Sequence, residues 1–132
     1  MQPSLPFYNF ETSLHQLHCN TCNKDFYGET YDEMESWDII HCDNCSNVIR
    51  IDWHKPLSKK VEEKTRLRNN RWNTKFIESY LKPCSCGGHF LYSAKPRCPF
   101  CKSDKVTKMK GIKTTYINYD PDSIWKDKVK NL

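Results

Sequence analysis

Glycine is scarce in this chain, with four residues in 132. No phosphate-cradling G-x-x-x-x-G-K-[ST] loop can be assembled from them. G-x-S-x-G and H-E-x-x-H are also absent, and none of the five histidines has a glutamate two residues on, as the zinc deaminases require. These absences point away from hydrolase, nucleotide-binding and deaminase chemistry, so the expectation is a protein that is not an enzyme. No apolar run approaches the roughly 18 residues that would span a bilayer. Met1–Phe10 lacks the basic start and apolar run of a secretory leader, which predicts a cytoplasmic chain with reduced thiols. Hydrophobic residues make up only 37% of the chain, thin for one large core. Modules of about 40 to 60 residues then need a metal or disulfide staple.

The staple is at hand in eight cysteines, arranged as four close pairs: Cys19/Cys22, Cys42/Cys45, Cys84/Cys86 and Cys98/Cys101. Four disulfides are one reading. A reducing compartment and the C-x-x-C spacing favour metal. A structural zinc ion takes four soft ligands in a tetrahedron, and one C-x-x-C turn supplies two of them. Gaps of 19 and 11 residues separate the members of the first and last two pairs, and 38 residues lie between the two groups. This grouping predicts three parts: a module over 1–54, a helical connector over 55–82, and a second module over 83–132. A cross-braced alternative joins Cys19/Cys22 to Cys84/Cys86. His18 and His41 directly precede cysteines, but four sulfurs per site already suffice, so the histidines are expected at the surface or beside the ligands.

The local signals fit this plan. Asn23 tolerates the left-handed backbone of a ligand turn. Gly87 and Gly88 can adopt positive φ and let N–H groups approach sulfur. Ile49–Trp53, His89–Tyr92 and Thr114–Tyr119 read as strands. Leu57–Leu81 contains no Gly or Pro and reads as helix, with Ser58 as N-cap, an apolar stripe of Trp72, Phe76, Ile77, Tyr80 and Leu81, and a break or bend at Asn69-Asn70. Tyr31, Met34 and Trp37 suggest a short helix, and Asp120-Pro121 starts a terminal one.

Cys84-x-Cys86-Gly-Gly-x-Phe90, followed by Cys98-Pro-Phe-Cys101, resembles a zinc ribbon, and Cys19/Cys22 with Cys42/Cys45 resembles a second. The resemblance covers roughly 17–54 and 83–119 and leaves the connector unmatched. It implies a small α+β zinc protein with two zinc-ribbon-like β modules joined by a helical connector. Two structural Zn²⁺ ions would be held by all eight cysteines, with no open coordination position. Zinc ribbons serve many functions, so the resemblance speaks to metal and architecture rather than role.

Charge suggests the role. Residues 1–54 hold two basic against nine acidic residues, whereas 55–75 hold eight basic against two acidic, and 95–113 seven against one. The acidic insert offers Tyr31, Glu33, Met34, Glu35, Trp37 and Asp38 as aromatic anchors in a charged rim, suited to a protein partner. This predicts an adaptor or an inhibitory, immunity-type protein. The alternative is nucleic acid, bound by Lys59, Lys60, Lys64, Arg66, Arg68 and Arg71 with a second patch over 95–113. The plainer reading of both runs is a solvated face, with the two halves attracting each other.

Overall fold

The computed structural model describes residues 8–30, 37–65 and 73–132, with backbone alone at 8–11 and 117–119. Strand β1 (Tyr8–Cys19) runs into a turn at Asn23 (φ 61°), which returns the chain as β2 (Asp25–Gly28). Strand β3 (Trp37–Cys42) turns through Asp43–Asn47 into β4 (Val48–Asp52). Helices α1 (Pro56–Thr65) and α2 (Thr74–Tyr80) follow, then a short β5 (Phe90–Leu91), a long β6 (Val106–Tyr119) and a terminal 3-10 turn, Asp127–Asn131. The described residues thus form a small α+β fold.

The two sheets do not follow the expected division of the chain. One has the order β2-β1-β6 and the other β4-β3-β5, every pair antiparallel. Each sheet therefore takes strands from both sides of the helical connector. β6 runs the length of β1, from Tyr8↔Tyr119 to Cys19↔Val106, with a bulge beside Gln16. Gly111 sits at that bulge, where an added Cβ would stand 3.0 Å from the Gln16 Cβ. Close approach, rather than a turn, is why a glycine interrupts a strand otherwise rich in Thr, Ile and Tyr.

The core lies on the second sheet. Ile40 and Ile51 from the sheet pack with Trp53, Val61, Ile77, Leu81, Phe90, Ile124, Trp125 and Val129. Trp53 and Trp125 meet at 6.2 Å with their rings tilted by 51°, a geometry in which edge and face can attract. The backbone of Lys82 donates to Ile124 and that of Lys126 to Tyr80, tying the C-terminal segment to the end of α2.

The continuous helix expected over 57–81 is instead two short helices, with 66–72, including Asn69, Asn70 and Trp72, outside the described residues. Ser58 does not cap α1. It lies inside the helix, fully buried, with Pro56 at the helix start. The capping residue is Asn73, whose side chain accepts from the Phe76 N–H at the start of α2. Ile77 and Leu81 are buried as the stripe predicts, but Phe76 is 56% exposed. The expected terminal helix at Asp120 is a turn, in which the Asp120 carboxylate accepts from the Asp122 N–H.

Candidate metal centres

The eight cysteines meet in two groups of four: Cys19, Cys22, Cys98 and Cys101, and Cys42, Cys45, Cys84 and Cys86. The first pair joins the last, and the second joins the third, so one tetrad encloses the other in sequence. The structure corrects both the sequential pairing and the cross-braced alternative. The reason lies in the hairpins. Cys19/Cys22 occupies the β1–β2 turn and Cys42/Cys45 the β3–β4 turn, and these hairpins belong to different sheets. Each turn is completed by whichever later pair its own sheet brings back. β6 starts beside Cys19 and carries Cys98/Cys101 to the outer tetrad. β5 pairs with β3 at Cys42 and carries Cys84/Cys86 to the inner one.

The sulfur geometry tests the fit of a metal. Separations are 3.5 Å for Cys19–Cys101, 3.7 Å for Cys22–Cys98, 3.5 Å for Cys42–Cys86 and 3.6 Å for Cys45–Cys84. A disulfide would need about 2.05 Å. Four sulfurs each about 2.3 Å from a central Zn²⁺ stand about 3.8 Å apart in a tetrahedron. All eight thiols are unbridged, and both tetrads could hold a metal ion. No histidine joins either group. His18 pairs with Asp25 at 2.7 Å, and the buried His41 donates from Nε2 to the Glu29 carbonyl. Burial lowers the His41 pKa and keeps the ring neutral.

The ligand turns are built alike in the outer tetrad. Asn23 and Lys102 take positive φ (61° and 65°), and each donates its N–H to the carbonyl of the first cysteine of its pair. Thr21 and Ser103 hydroxyls meet at 2.7 Å, and Asn20 donates to Thr107, sewing the two turns together. In the inner tetrad Gly87 takes φ 93° and the Gly88 N–H reaches the Cys86 sulfur at 3.3 Å. A Cβ on Gly88 would come within 2.8 Å of the Cys42 sulfur, so this position tolerates only glycine. The one-residue Cys84-x-Cys86 spacer works because Gly87 and Gly88 close the turn back on Cys84. Two donors that the sequence reading missed are Asn44, whose side chain reaches Cys86 at 3.5 Å, and Asn47, which reaches Cys84 at 3.1 Å. An Asn two residues after each cysteine of Cys42-x-x-Cys45 is the signal that was there to read.

The surroundings split the proton affinities of the thiols. The Cys22 backbone N–H leads in lowering Cys19 to about 6, and the Asn44 amide leads in lowering Cys86 to about 6. Burial pushes Cys45 up to about 12. Cys101 also rises to about 12, because burial and the three neighbouring sulfurs outweigh the Ser103 N–H that favours its thiolate. Four sulfurs in mutual contact cannot all carry charge unless a cation neutralises them.

The other candidate residues divide. Tyr31, Glu33, Met34 and Glu35 lie outside the described residues, as do Arg66, Arg68 and Arg71. Trp37 is half-buried in β3. Asp38 is engaged inside the fold, accepting from Tyr92 Oη at 2.7 Å and Trp53 Nε1 at 3.1 Å. Burial and the Asp38 charge raise the Tyr92 pKa, so the phenol stays a donor. Lys59 and Lys64 are exposed on α1, and Lys60 donates to the Lys130 carbonyl. No described helix is long and apolar enough to cross a membrane.

A family model described as "Domain of unknown function (DUF8255)" matches residues 15–107, a span that takes in all eight cysteines. No curated protein and no solved structure matches the chain.

Proposed function

The chain belongs to the DUF8255 family, and from its own geometry we propose that it is a non-catalytic zinc protein, stapled by two structural Zn²⁺ ions and serving as a binding module. The sulfur spacing carries this reading: two all-sulfur tetrads, each with two sulfur pairs at 3.5 to 3.7 Å and all four sulfurs within 4.8 Å of one another, suit Zn²⁺ and leave it no open position for catalysis. Eight unbridged thiols also suit the reducing cytoplasm. Elemental analysis of the purified chain should find two zinc ions per molecule. Replacement by Co²⁺ should give the ligand-field bands of tetrahedral sulfur coordination. Far less than two ions per chain, or disulfides in their place, would end this reading.

As a binding module its first expected ligand is a protein, held as an adaptor or an inhibitory, immunity-type partner. The acidic first 54 residues supply that surface, but Glu29 is ion-paired with Arg50 and Asp38 is engaged internally. The contact would then fall on Asp32, Glu33 and Glu35 with Tyr31, Met34 and Trp37. A pull-down from the native host should recover one stoichiometric polypeptide, and charge reversal at Asp32, Glu33 and Glu35 should release it. An unchanged yield counts against that surface.

A second reading, nucleic-acid binding, is favoured by one observation. Lys95, Lys105 and Lys108 are exposed around one cavity, and no ion pair among the described residues engages them. Retention on nucleic acid that falls steeply with salt would support it.

A further inference from the structure

Between the β2-β1-β6 sheet and the segment 95–105 lies a cavity of about 460 Å³, with Leu17, Val106 and Pro96 as apolar lining and Lys95, Lys105 and Lys108 as its cations. Its single acid among the described residues, Asp104, faces Arg97 at 4.0 Å, so no described carboxylate answers the lysine charge. The cavity opens on a particular face of the sheet. Register places Lys108 opposite Leu17, Val106 opposite Cys19 and Ile112 opposite His15, all on one side, and alternation from Ile112 adds Thr114 and Tyr116. Ile112 and Tyr116 are 64% and 67% exposed. A cationic hollow therefore continues into an apolar and aromatic track along β6. From Lys108 to Tyr116 that track runs about 26 Å at about 3.3 Å per residue.

We infer that this hollow and track form a seat for single-stranded nucleic acid, its backbone phosphates on Lys95, Lys105 and Lys108 and its bases against Ile112 and Tyr116. The inference rests on the nucleic-acid reading above and gives it a place. Two features favour a single-stranded polynucleotide. The track is longer than one nucleotide would fill. A cationic patch running on to an exposed aromatic is a recurring means of holding single strands without sequence preference.

The test is fluorescence anisotropy of a labelled oligothymidine of about twelve nucleotides with the zinc-loaded full chain. Binding should weaken steeply between about 50 and 200 mM salt, and each phosphate contact removed should flatten the log–log slope by about 0.7. Lys105→Gln with Lys108→Gln should reduce both affinity and slope. Tyr116→Ala should weaken binding about five- to hundred-fold, and Tyr116→Phe should restore most of it. Each variant should still carry two zinc ions, which separates loss of the seat from loss of the fold. Four results would overturn the inference: no binding by zinc-loaded protein at low salt; equal affinity for a duplex or for thymidine monophosphate; binding of polyglutamate instead; or affinity unmoved by these variants. If Lys59→Gln with Lys64→Gln abolishes binding while these variants leave it unmoved, nucleic-acid binding stands and this seat falls.

Discussion

The two tetrads share a ligand set and differ in what surrounds it. Cys42, Cys45 and Cys84 of the inner tetrad belong to the hydrophobic core, in one cluster with Ile40, Phe90 and Trp53. No cysteine of the outer tetrad belongs to that cluster, and neither does Leu17, the one large side chain fully buried in the β2-β1-β6 sheet among the described residues. Asn44 and Asn47 direct side-chain amides at inner-tetrad sulfurs, while among the described residues no side-chain amide reaches an outer-tetrad sulfur. A metal at the inner tetrad would thus reinforce a core that also has apolar burial behind it. A metal at the outer tetrad would hold a sheet in which few other described side chains are buried.

The largest effect should come from breaking the inner site. A structural zinc contributes about 10–16 kcal/mol apparent in small fingers, against about 5–15 kcal/mol for a whole domain. Cys45→Ser should therefore cost the inner ion and loosen the packing around Trp53 and Trp125, seen as weakened near-ultraviolet dichroism from the tryptophans. Cys98→Ser should cost one ion and the order of β1, β2 and β6, leaving the tryptophan signal in place. If the two variants behave alike, the distinction between the sites is wrong.

Acid should separate the sites less sharply. Cys19 and Cys86 have pKa values held down to about 6 from 9.0. A depressed thiol pKa favours the ionised form in the fold, so its contribution is complete above 9.0 and is lost as pH falls through about 6. Bound metal extends the range downward. The Co²⁺ form should keep its sulfur-to-metal charge-transfer band at pH 7 and lose it at pH values below about 6. Loss of half the band above pH 7 would contradict this. Chelator at neutral pH should draw the outer ion first, giving two steps in the same band.

How much of this was legible beforehand follows from the range of each signal. The C-x-x-C turns, the positive φ at Asn23 and Gly87, and the sulfur-directed N–H of Gly88 depend on neighbours one to four residues away, and the sequence carries them. Which pair meets which depends on strand pairing between β1 and β6, across nearly the whole chain, and spacing holds no information about it. Proximity in sequence suggested sequential modules, and tertiary pairing overrode it. Ser58 fails for a similar reason. It has the chemistry of a cap, but Pro56 starts the helix two residues earlier and the core buries the hydroxyl. Asp38 looked like a rim charge because its acidic neighbours do, yet Trp53 and Tyr92 converge on it from other elements.

The smallest effect tests the amides that set the inner site apart. Asn47 donates to the Cys84 sulfur at 3.1 Å, and its backbone N–H approaches Cys45 at 3.4 Å. Asn47→Ala keeps the backbone donor and removes the side-chain one. Hydrogen bonds from outside the coordination sphere orient ligands and stabilise thiolate charge, and their loss costs about 10- to 100-fold in metal affinity. In competition with a chromogenic chelator, Asn47→Ala should bring the inner ion's affinity toward the outer one's and merge the two release steps. Asn20→Ala, which removes the bond to Thr107 beside the outer tetrad without touching a sulfur, should leave the steps apart. Should Asn47→Ala leave them apart as well, burial alone distinguishes the two sites, and the amides only fill space beside the metal.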